Sequence, residues 1–566
     1  MIFCLSEPYQ YGSELTRPTL TVAGLLVLAS FFAFFGLSQS LNATASDQRK
    51  LLLLIISFAI STRLVAMFTC PILEIDYYRY LWDGKAASAG VSPYHYSPQQ
   101  VIESGDGSEG DLKLLYELSA RSESNQTILE RIHFEDYTTI YPPVSQAVFA
   151  LTMKWFPDSA SVQSHIIAIK SMLILFDVAT LFLVYLLLRA LGQHIGWLIV
   201  YAWNPLVIKE IANGSHLDSI ATFLMVLSVL LLVKWRINGS RWRLGCLLGS
   251  GIALALGVGA KLFPVILFPA LMIAVASRSW AKALLFGLIF AVSAAAFLWP
   301  MFSPMFESQA PTESVESFVP EGSGVFESLL PPDIFEPPES DPQIAPQQAK
   351  NGSVGFFSHW QMNDVAFASV YRNLKSSESG KAPWFVVTSN QFREQFEQTC
   401  RDRKLGGENP AFFSAKLLTL GLFSIFYVVQ LLFIYRAGHS QTEPPDVSNA
   451  RSAATNLVRR LTFILALFLF LQPTVNPWYF VWVLPLACVS LNRGWLLASG
   501  FLLVYYTRFW FQTLDKNYEF LGHDYSGLEL YDHLVTWITV ALILVVLGVF
   551  RCRKICLTEN AIDLAN

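Results

Sequence analysis

Long apolar runs recur along the chain and are separated by polar connections of very different lengths. A helix that crosses a bilayer needs about 17 to 25 predominantly apolar residues. Counting such runs predicts about thirteen transmembrane helices, and the pattern indicates an all-α polytopic membrane protein. The runs lie near residues 18–38, 51–70, 165–188, 195–212, 217–234, 243–259, 262–277, 281–300, 411–434, 459–473, 477–491, 494–507 and 534–550.

Composition agrees with this interpretation and excludes other classes. Apolar residues occupy 53% of the 566 positions and charged residues only 14%, which is unlike a soluble globular protein. The net charge of −4 and the lack of a Lys/Arg block predict no nucleic-acid partner. The seven cysteines are scattered, so neither a disulfide framework nor a structural zinc site is expected.

Basic residues predict the orientation of the chain. Lys and Arg concentrate in alternate short connections, and such connections face the cytoplasm. This rule places the first residue outside, the last inside, and two long loops on the extracytoplasmic side. The predicted organisation is a helix pair at 1–70, a first loop at 71–164, core helices at 165–300, a large loop at 301–410, C-terminal helices at 411–550 and a tail at 551–566.

Two segments of these loops differ in composition from the rest. Residues 141–156 are apolar but too short to cross, and we expect a helix in the outer interface that begins at Pro142 and Pro143. Residues 301–350 are rich in Pro, Ser and acidic residues and have too little apolar surface to pack. The sequence predicts that this second segment is disordered.

Ionisable and aromatic residues crowd together just after the second apolar run. Residues 74–94 read EIDYYRYLWDGKAASAGVSPY. In a helix, Asp76, Arg79 or Tyr80, and Asp83 would share one face, which would then carry two carboxylates and a cation. Simple anchoring of a helix at the interface by Tyr and Trp is the alternative.

Other connections on the same predicted side also carry polar residues. Their convergence predicts a polar, water-filled cavity at one face of the membrane. Two simpler interpretations stay open: Lys261 and Arg508 could extend to lipid head groups, and Asp218 could cap the helix that follows it. The converging residues are Glu210, His216, Asp218, Lys261, His359, Trp360, Asn363, Asn476, Trp478, Tyr479 and Arg508.

The chain carries, in this order, the segments EIDYYRYLWDGKAASAGVSPY, YPP, WNPLVIKEIANGSHLDS, HWQMND and NPWYFVWVLPL. This series resembles the polyprenyl-phosphate-sugar-dependent glycosyltransferases of GT-C fold, most closely the bacterial mannosyltransferase-like group, and the similarity runs over about residues 51–490. The resemblance implies an enzyme of the bacterial inner membrane with its active site on the extracytoplasmic face. It would transfer a hexose, best matched by mannose, from a polyprenyl-phosphate donor to a hydroxyl of a glycan, glycolipid or protein acceptor, with inversion.

The resemblance also implies residue roles. The family's catalytic carboxylate lies in the first extracytoplasmic loop, in a motif of two acidic residues separated by one other. Asp76 would be the general base and Glu74 its support, although Glu replaces the commoner Asp at the first position. His216 and Asp218 would correspond to the acidic loop near the donor phosphate. The other predicted substrate-binding residues are Arg79, Asp83, Lys261, His359, Trp360, Asn363, Asn476, Trp478, Tyr479 and Arg508.

Three further points stay open at the level of sequence. No cofactor is predicted with certainty, but Asp76 and Asp218 could meet at a divalent cation. A transporter or flippase would place ionisable residues near the midplane and show internal symmetry, and the sequence shows no such repeat. Paired carboxylates also occur in glycoside hydrolases, but a hydrolase would not need this many spans.

Overall fold

The chain is helical in nearly all of the part that the structure, a computed structural model, describes. One short antiparallel hairpin, Tyr518–Phe520 paired with His523–Tyr525, is the exception within that part. The described residues are 6, 19–105, 107–237, 243–307, 366–376, 385–403, 405, 409–439, 447–514, 518–520, 523–528, 530–531, 534–535 and 538.

The helices are numbered here in chain order. The first fourteen are α1 Thr19–Ser40, α2 Gln48–Met67, α3 Tyr77–Ser88, α4 Pro98–Ser104, α5 Gly110–Ala120, α6 Glu123–Glu130, α7 Pro143–Lys154, α8 Val162–Ala190, α9 Ile195–Ala202, α10 Pro205–Asn213, α11 Asp218–Ile237, α12 Arg243–Ala260, α13 Phe263–Ala276 and α14 Trp280–Glu307. The others are α15 Ala366–Arg372, α16 Asn390–Asp402, α17 Pro410–His439, α18 Val447–Leu471, α19 Leu484–Ser490, α20 Gly494–Leu502 and α21 Arg508–Phe511.

Eight of these helices are long and apolar enough to cross a membrane: α1, α2, α8, α11, α12, α14, α17 and α18. The pair α9 and α10 makes a ninth if the two count as one span with a 42° bend. The predicted all-α polytopic class is confirmed, whereas the count of about thirteen is not. The runs predicted at 262–277, 477–491 and 494–507 form shorter helical pieces, and most of 534–550 lies outside the described residues.

The segment predicted to be a short helix after Pro142 is helix α7. Pro142 caps it and Pro143 occupies its first turn, where a missing N–H costs nothing. Helix α7 packs closely on α3, because a Cβ at Gly84 would lie 2.7 Å from the carbonyl oxygen of Phe149. Its other side contacts α12, since Ser145 Oγ donates to the Ala260 carbonyl at 2.8 Å. The position of α7 relative to a bilayer stays a prediction.

The expectation of disorder at 301–350 concerns mostly residues that the structure does not describe. The first seven of them, 301–307, continue helix α14. The other residues, 308–350, lie outside the described part.

A buried ion pair joins α2, α8 and α9 inside the bundle. Arg63 Nε lies 2.5 Å from Asp177 Oδ2, and Tyr201 donates to the other carboxylate oxygen at 2.6 Å. Arg63 Nη1 also donates to the Ala202 carbonyl at 2.9 Å, where α9 ends before the bend. Buried charges require such partners, so the pair fastens the end of α9, just before the bend, to α2 and α8.

We expect Arg63→Met to lower the free energy of unfolding by about 3–5 kcal/mol, because Asp177 is left buried without its cation. Denaturation of the purified protein in detergent measures the loss. The double variant Arg63→Met with Asp177→Leu should regain most of the stability, since neither charge is then buried. A single variant as stable as the wild type would show that the pair does not support the fold.

Candidate active site

The segment that carries the two predicted catalytic carboxylates is fastened at its start by a neighbouring helix. Asn213, the last residue of α10, accepts a hydrogen bond from the Ile72 backbone N–H at 2.9 Å. Its amide donates to the Cys70 carbonyl at 2.7 Å. From α8, the buried Lys170 donates to two carbonyls at the end of α2 at 2.9 and 2.8 Å. The acidic loop is therefore held in place by two helices distant in sequence.

Two residues in the left-handed region of the backbone map border the site. Leu73 has a φ of 52° and Ser215 a φ of 65°. Each directly precedes one partner of an ion pair, Glu74 and His216. This conformation costs a residue other than glycine about 1–2 kcal/mol, so the surrounding contacts must compensate for it. The strained positions thus lie directly beside both partners of this ion pair.

The central contact of the site is a histidine between two carboxylates. His216 Nε2 lies 3.0 Å from Glu74 Oε2 and 3.2 Å from Glu210 Oε2, and all three side chains are buried. Within the described residues Nε2 makes no hydrogen bond of good geometry, so the attraction is that of an ion pair. Burial alone would lower the pKa of His216, but the two carboxylates raise it to about 10. The imidazole is therefore cationic at neutral pH.

A π-helical turn brings Glu210 to this histidine. Residues Ile208–Asn213 form the π-helix within α10. In this turn the Lys209 ammonium lies 3.4 Å from Glu210 Oε2. Tyr506 donates to Glu210 Oε1 at 2.5 Å, and Lys209 Nζ lies 4.2 Å from the centre of the Tyr506 ring. π-helical turns are uncommon and often occur at functional sites.

Asp76 differs from the other carboxylates because it lacks an ion-pair partner within the described residues. Its backbone N–H donates to Glu74 Oε1 at 2.9 Å, and its Oδ2 accepts from Tyr141 at 3.3 Å. Burial, followed by the charge of Glu74, raises the pKa of Asp76 to about 7. The charge of His216 and the Tyr141 hydrogen bond act in the opposite direction and are weaker. The side chain is half-buried. Such a carboxyl group suits proton transfer near neutral pH.

A second ion pair lies at the start of α11. Lys261 Nζ is 2.7 and 2.8 Å from the two oxygens of Asp218. Trp482 Nε1 donates to Asp218 Oδ1 at 2.5 Å, and the Lys261 ammonium lies 4.7 Å from the centre of the Tyr479 ring. Lys261 therefore has a carboxylate partner and does not simply extend to head groups.

Aromatic rings from the turn Pro477–Trp482 line the two ion pairs. The Trp478 ring stacks on His216 with centroids 4.3 Å apart and planes 15° apart. Tyr479 stacks on Trp482 at 4.6 Å. The preceding Asn476 is buried, and its Oδ1 has no hydrogen-bond partner among the described residues. This turn thus joins the acidic loop and α10 in one site.

Comparison with known proteins identifies the first part of the chain. Residues 6–277 match the family described as alpha-(1->6)-mannopyranosyltransferase, N-terminal domain. This part of the chain is similar to that mannosyltransferase family. The match covers almost half of the chain and includes the acidic loop, the π-helix and Lys261. No curated protein and no solved structure matched the chain. The predicted resemblance to mannosyltransferase-like glycosyltransferases is confirmed.

Arg79 and Asp83 form an ion pair with each other. Arg79 Nε lies 3.0 Å from Asp83 Oδ1, and Arg79 Nη2 donates to the Tyr137 carbonyl at 3.0 Å. Gln146 of α7 donates to Asp83 Oδ2 at 2.9 Å. These contacts hold the segment that leads to Tyr141. Arg79 and Asp83 lie on one face of the helix, as their spacing predicted. A direct role of Arg79 or Asp83 in substrate binding stays a prediction.

The other predicted residues fall in two groups. Arg508 begins α21 and lies beside Tyr505, whose ring packs edge-on against Trp478 at 6.3 Å. His359, Trp360 and Asn363 lie outside the described residues. Their predicted role in substrate binding therefore stays a prediction.

Four site residues did not stand out in the sequence: Tyr141, Gln146, Trp482 and Tyr506. Tyr141 is the first residue of the YPP motif, and Tyr506 lies two positions before Arg508. Both therefore lie in or next to a feature that the sequence analysis did single out. Trp482 lies within the NPWYFVWVLPL motif but was not singled out there, and Gln146 lies in an apolar helical stretch without such a signal. Only the folded chain brings them to Asp83 and Asp218.

The carboxylates of the site do not assemble into a metal centre. Among the described residues, no group of three or more His, Cys, Asp or Glu side chains could hold a metal ion. Both oxygens of Asp218 contact Lys261, and Glu74 faces His216. The predicted meeting of Asp76 and Asp218 at a divalent cation does not fit these pairings, and no step below uses one.

The His216 ion pair predicts a pH dependence of stability. The unfolded imidazole titrates at its ordinary pKa of 6.5 and the folded one at about 10. The stabilisation is therefore complete below pH 6.5 and is lost as the pH rises through 10. Denaturation midpoints between about pH 6 and pH 10 should fall in the wild type and fall less in His216→Gln.

The matched control is His194→Gln, at the opposite end of helices α8 and α9. This variant should keep the wild-type slope. If His216→Gln also keeps it, the imidazole is not charged in the folded protein.

Proposed function

We propose that this mannosyltransferase-like chain transfers a mannosyl group from a polyprenyl-phosphate donor to an acceptor hydroxyl on the extracytoplasmic side, with inversion. The observation that carries the proposal is Asp76, a half-buried carboxyl group with a pKa of about 7 at the edge of a cluster of cations. The family match supports mannosyl transfer, and the basic connections support the side of the membrane.

Asp76 acts as the general base. The acceptor oxygen forms a bond to the anomeric carbon while its proton passes to Asp76, and the bond from that carbon to the phosphate oxygen breaks. The electron pair of that bond leaves with the polyprenyl phosphate. Attack opposite to the departing phosphate inverts the anomeric centre. Glu74 and Tyr141 hold Asp76 in position through the hydrogen bonds described above.

Cations on the other side of the site stabilise the departing phosphate. The charge that grows on the phosphate during transfer is attracted by fixed cations in a site of low polarity. Lys261 and Arg508 are the best candidates. The Lys261 side chain is 22% exposed although it pairs with Asp218, whereas Arg79 is only 10% exposed and is held between Asp83 and the Tyr137 carbonyl. The exposed part of Trp478 offers a ring on which a sugar face can stack.

The arrangement of charges favours transfer over transport. The Lys261–Asp218 ion pair of the site lies at the start of α11 and just past the end of α12. Arg63 and Asp177, a charged pair between α2 and α8, are fully buried against each other. A transporter would expose ionisable groups to a cavity near the midplane.

We expect Asp76→Asn to reduce transfer about 10²- to 10⁴-fold, because the base can no longer accept a proton. Purified protein in lipid, given polyprenyl-phosphate mannose and a mannan oligosaccharide, measures the rate. Asp111→Asn, an exposed position on α5, is the matched control and should retain wild-type activity. Full activity of Asp76→Asn would contradict the assignment of the base. Transfer only from a nucleotide-linked sugar would contradict the donor.

The rate should also depend on pH. Activity should rise as the pH increases through about 7, because Asp76 must be deprotonated to act as a base. In Glu74→Gln the charge that raises the pKa of Asp76 is removed, so this rise should shift to lower pH. The exposed Glu103→Gln should not move it. If Glu74→Gln is inactive while Asp76→Asn is active, the two carboxylates have exchanged roles.

A further inference from the structure

Gln146 lies where helix α3 meets the segment that leads to Tyr141. It belongs to the first turns of α7 and is only 4% exposed. Helix α7 is a firm support, because it packs on α3 at Gly84 and because Ser145 donates to the Ala260 carbonyl of α12. A buried amide needs acceptors for its N–H groups, and these acceptors show what the side chain holds in place.

Asp83 fixes the orientation of the Gln146 amide. Gln146 Nε2 lies 2.9 Å from Asp83 Oδ2, and Arg79 Nε donates to the other oxygen, Oδ1, at 3.0 Å. A carboxylate paired with a guanidinium accepts hydrogen bonds and donates none. The nitrogen of the Gln146 amide, and not its oxygen, therefore faces Asp83.

The same nitrogen of Gln146 also holds the segment that ends at Tyr141. Nε2 donates to Thr139 Oγ1 at 3.0 Å, and this oxygen accepts in addition from the Tyr141 backbone N–H at 3.3 Å. Tyr94 donates to the Tyr141 carbonyl at 2.8 Å. Both polar groups of the Tyr141 backbone are thus held.

The side chain of Tyr141 carries this constraint to Asp76. Its ring packs edge-on against Tyr80 of α3, with centroids 5.0 Å apart, and its hydroxyl donates to Asp76 Oδ2 at 3.3 Å. A continuous series of hydrogen bonds therefore joins five residues, in the order Asp83, Gln146, Thr139, Tyr141 and Asp76.

We propose that Gln146 is a positioning residue of the proposed transferase, and that it directs the Tyr141 hydroxyl at Asp76. The inference rests on the role of Asp76 as the base in the proposed function. A base accepts a proton efficiently only when its oxygen faces the reacting hydroxyl, and the bond from Tyr141 fixes the direction of Asp76 Oδ2. Asp83 then supports Gln146 and does not itself bind substrate.

The hydrogen bond from Tyr141 also changes the proton affinity of Asp76. Burial and the charge of Glu74 raise the pKa of Asp76, whereas the charge of His216, the Tyr141 bond and Lys261 lower it. A weaker Tyr141 bond therefore raises this pKa, and a side chain that only stabilised the fold would not change it. Ionisable groups that interact with Asp76 are Glu74, Tyr80, Tyr141, His216, Lys261 and Tyr479.

Titration of Asp76 tests the proposal without measuring transfer. Gln146→Met removes both N–H groups and changes no charge. Infrared spectroscopy of the purified full chain in lipid follows the carboxyl C=O band that is missing in Asp76→Asn. We expect Tyr141→Phe to raise the midpoint from about 7 by roughly half to one pH unit, and Gln146→Met to raise it by part of that amount. Gln146→Met added to Tyr141→Phe should cause no further shift.

Asn125→Leu is the matched control, because Asn125 is a buried neutral amide of the same loop that donates to the Leu118 carbonyl at 2.8 Å. Its midpoint should equal that of the wild type. Thr139→Val removes the hydroxyl that accepts from Gln146, so it should shift the midpoint in the same direction and replaces Gln146→Met if that variant does not fold. Unchanged midpoints in both variants, or an equal shift in Asn125→Leu, would overturn the proposal.

Transfer rates on the same preparations separate this proposal from the proposed function. In Gln146→Met, kcat should fall roughly 10-fold with little change in the KM for the donor, because a poorly directed base slows the chemical step. A raised KM with a wild-type midpoint would mean that Gln146 binds substrate, which contradicts positioning and leaves the proposed function intact. A shifted midpoint in a chain that transfers no mannose would contradict the proposed function and support the positioning of Asp76.

Discussion

Each charge that folding buries needs a partner, and this constraint organises the protein. Glu74 comes from the loop after α2, His216 from the turn after α10, and the two meet at 3.0 Å in the interior. Neither could be buried alone without a large loss of stability. Their pairing joins two parts of the chain that are 142 positions apart in sequence, and the same principle joins Lys261 to Asp218.

The ion pairs of the site make Asp76 chemically different from the neighbouring carboxylates. Glu74, Glu210 and Asp218 each contact a cationic side chain, and that contact competes with any proton for the carboxylate. Asp76 shares their surroundings without such a contact, and the charge of Glu74 makes it more basic. A set of similar acidic side chains thus contains one without an ion-pair partner among the described residues and three with such a partner, and contacts of this kind set their chemistry apart.

The sequence predicted which residues would come together, but not which side chains would contact each other. Apolar runs predicted the long helices, and the polar residues of separate connections, such as Glu74, His216 and Lys261, were predicted to converge. The partners were not predictable, because a contact such as that of Lys261 with Asp218 depends on tertiary packing rather than on local spacing. The count of about thirteen spans was not confirmed, for a related reason. Helix α13 begins with a 3-10 turn that contains Pro264, and an apolar run does not reveal how long its helix will be.

The geometry around Asp76 could not be predicted from the sequence either. Tyr141 was visible as part of a motif, but its hydrogen bond to Asp76 follows from α7 packing against α3 through Gly84. The left-handed backbone at Leu73 and Ser215 has no signature in residue type, since neither is a glycine or an asparagine. Such positions are imposed by the surrounding structure.

The π-helix in α10 has a consequence for how the site could have arisen. A π-helical turn bonds residues five apart where an α-helix bonds residues four apart, so it accommodates one extra residue. Ile208–Asn213 can therefore be regarded as an α-helix lengthened by a single inserted codon. Removing one residue would restore a regular helix and rotate Glu210 away from His216 by about 100°. The chemistry here depends on the local length of the chain as much as on the identity of its side chains.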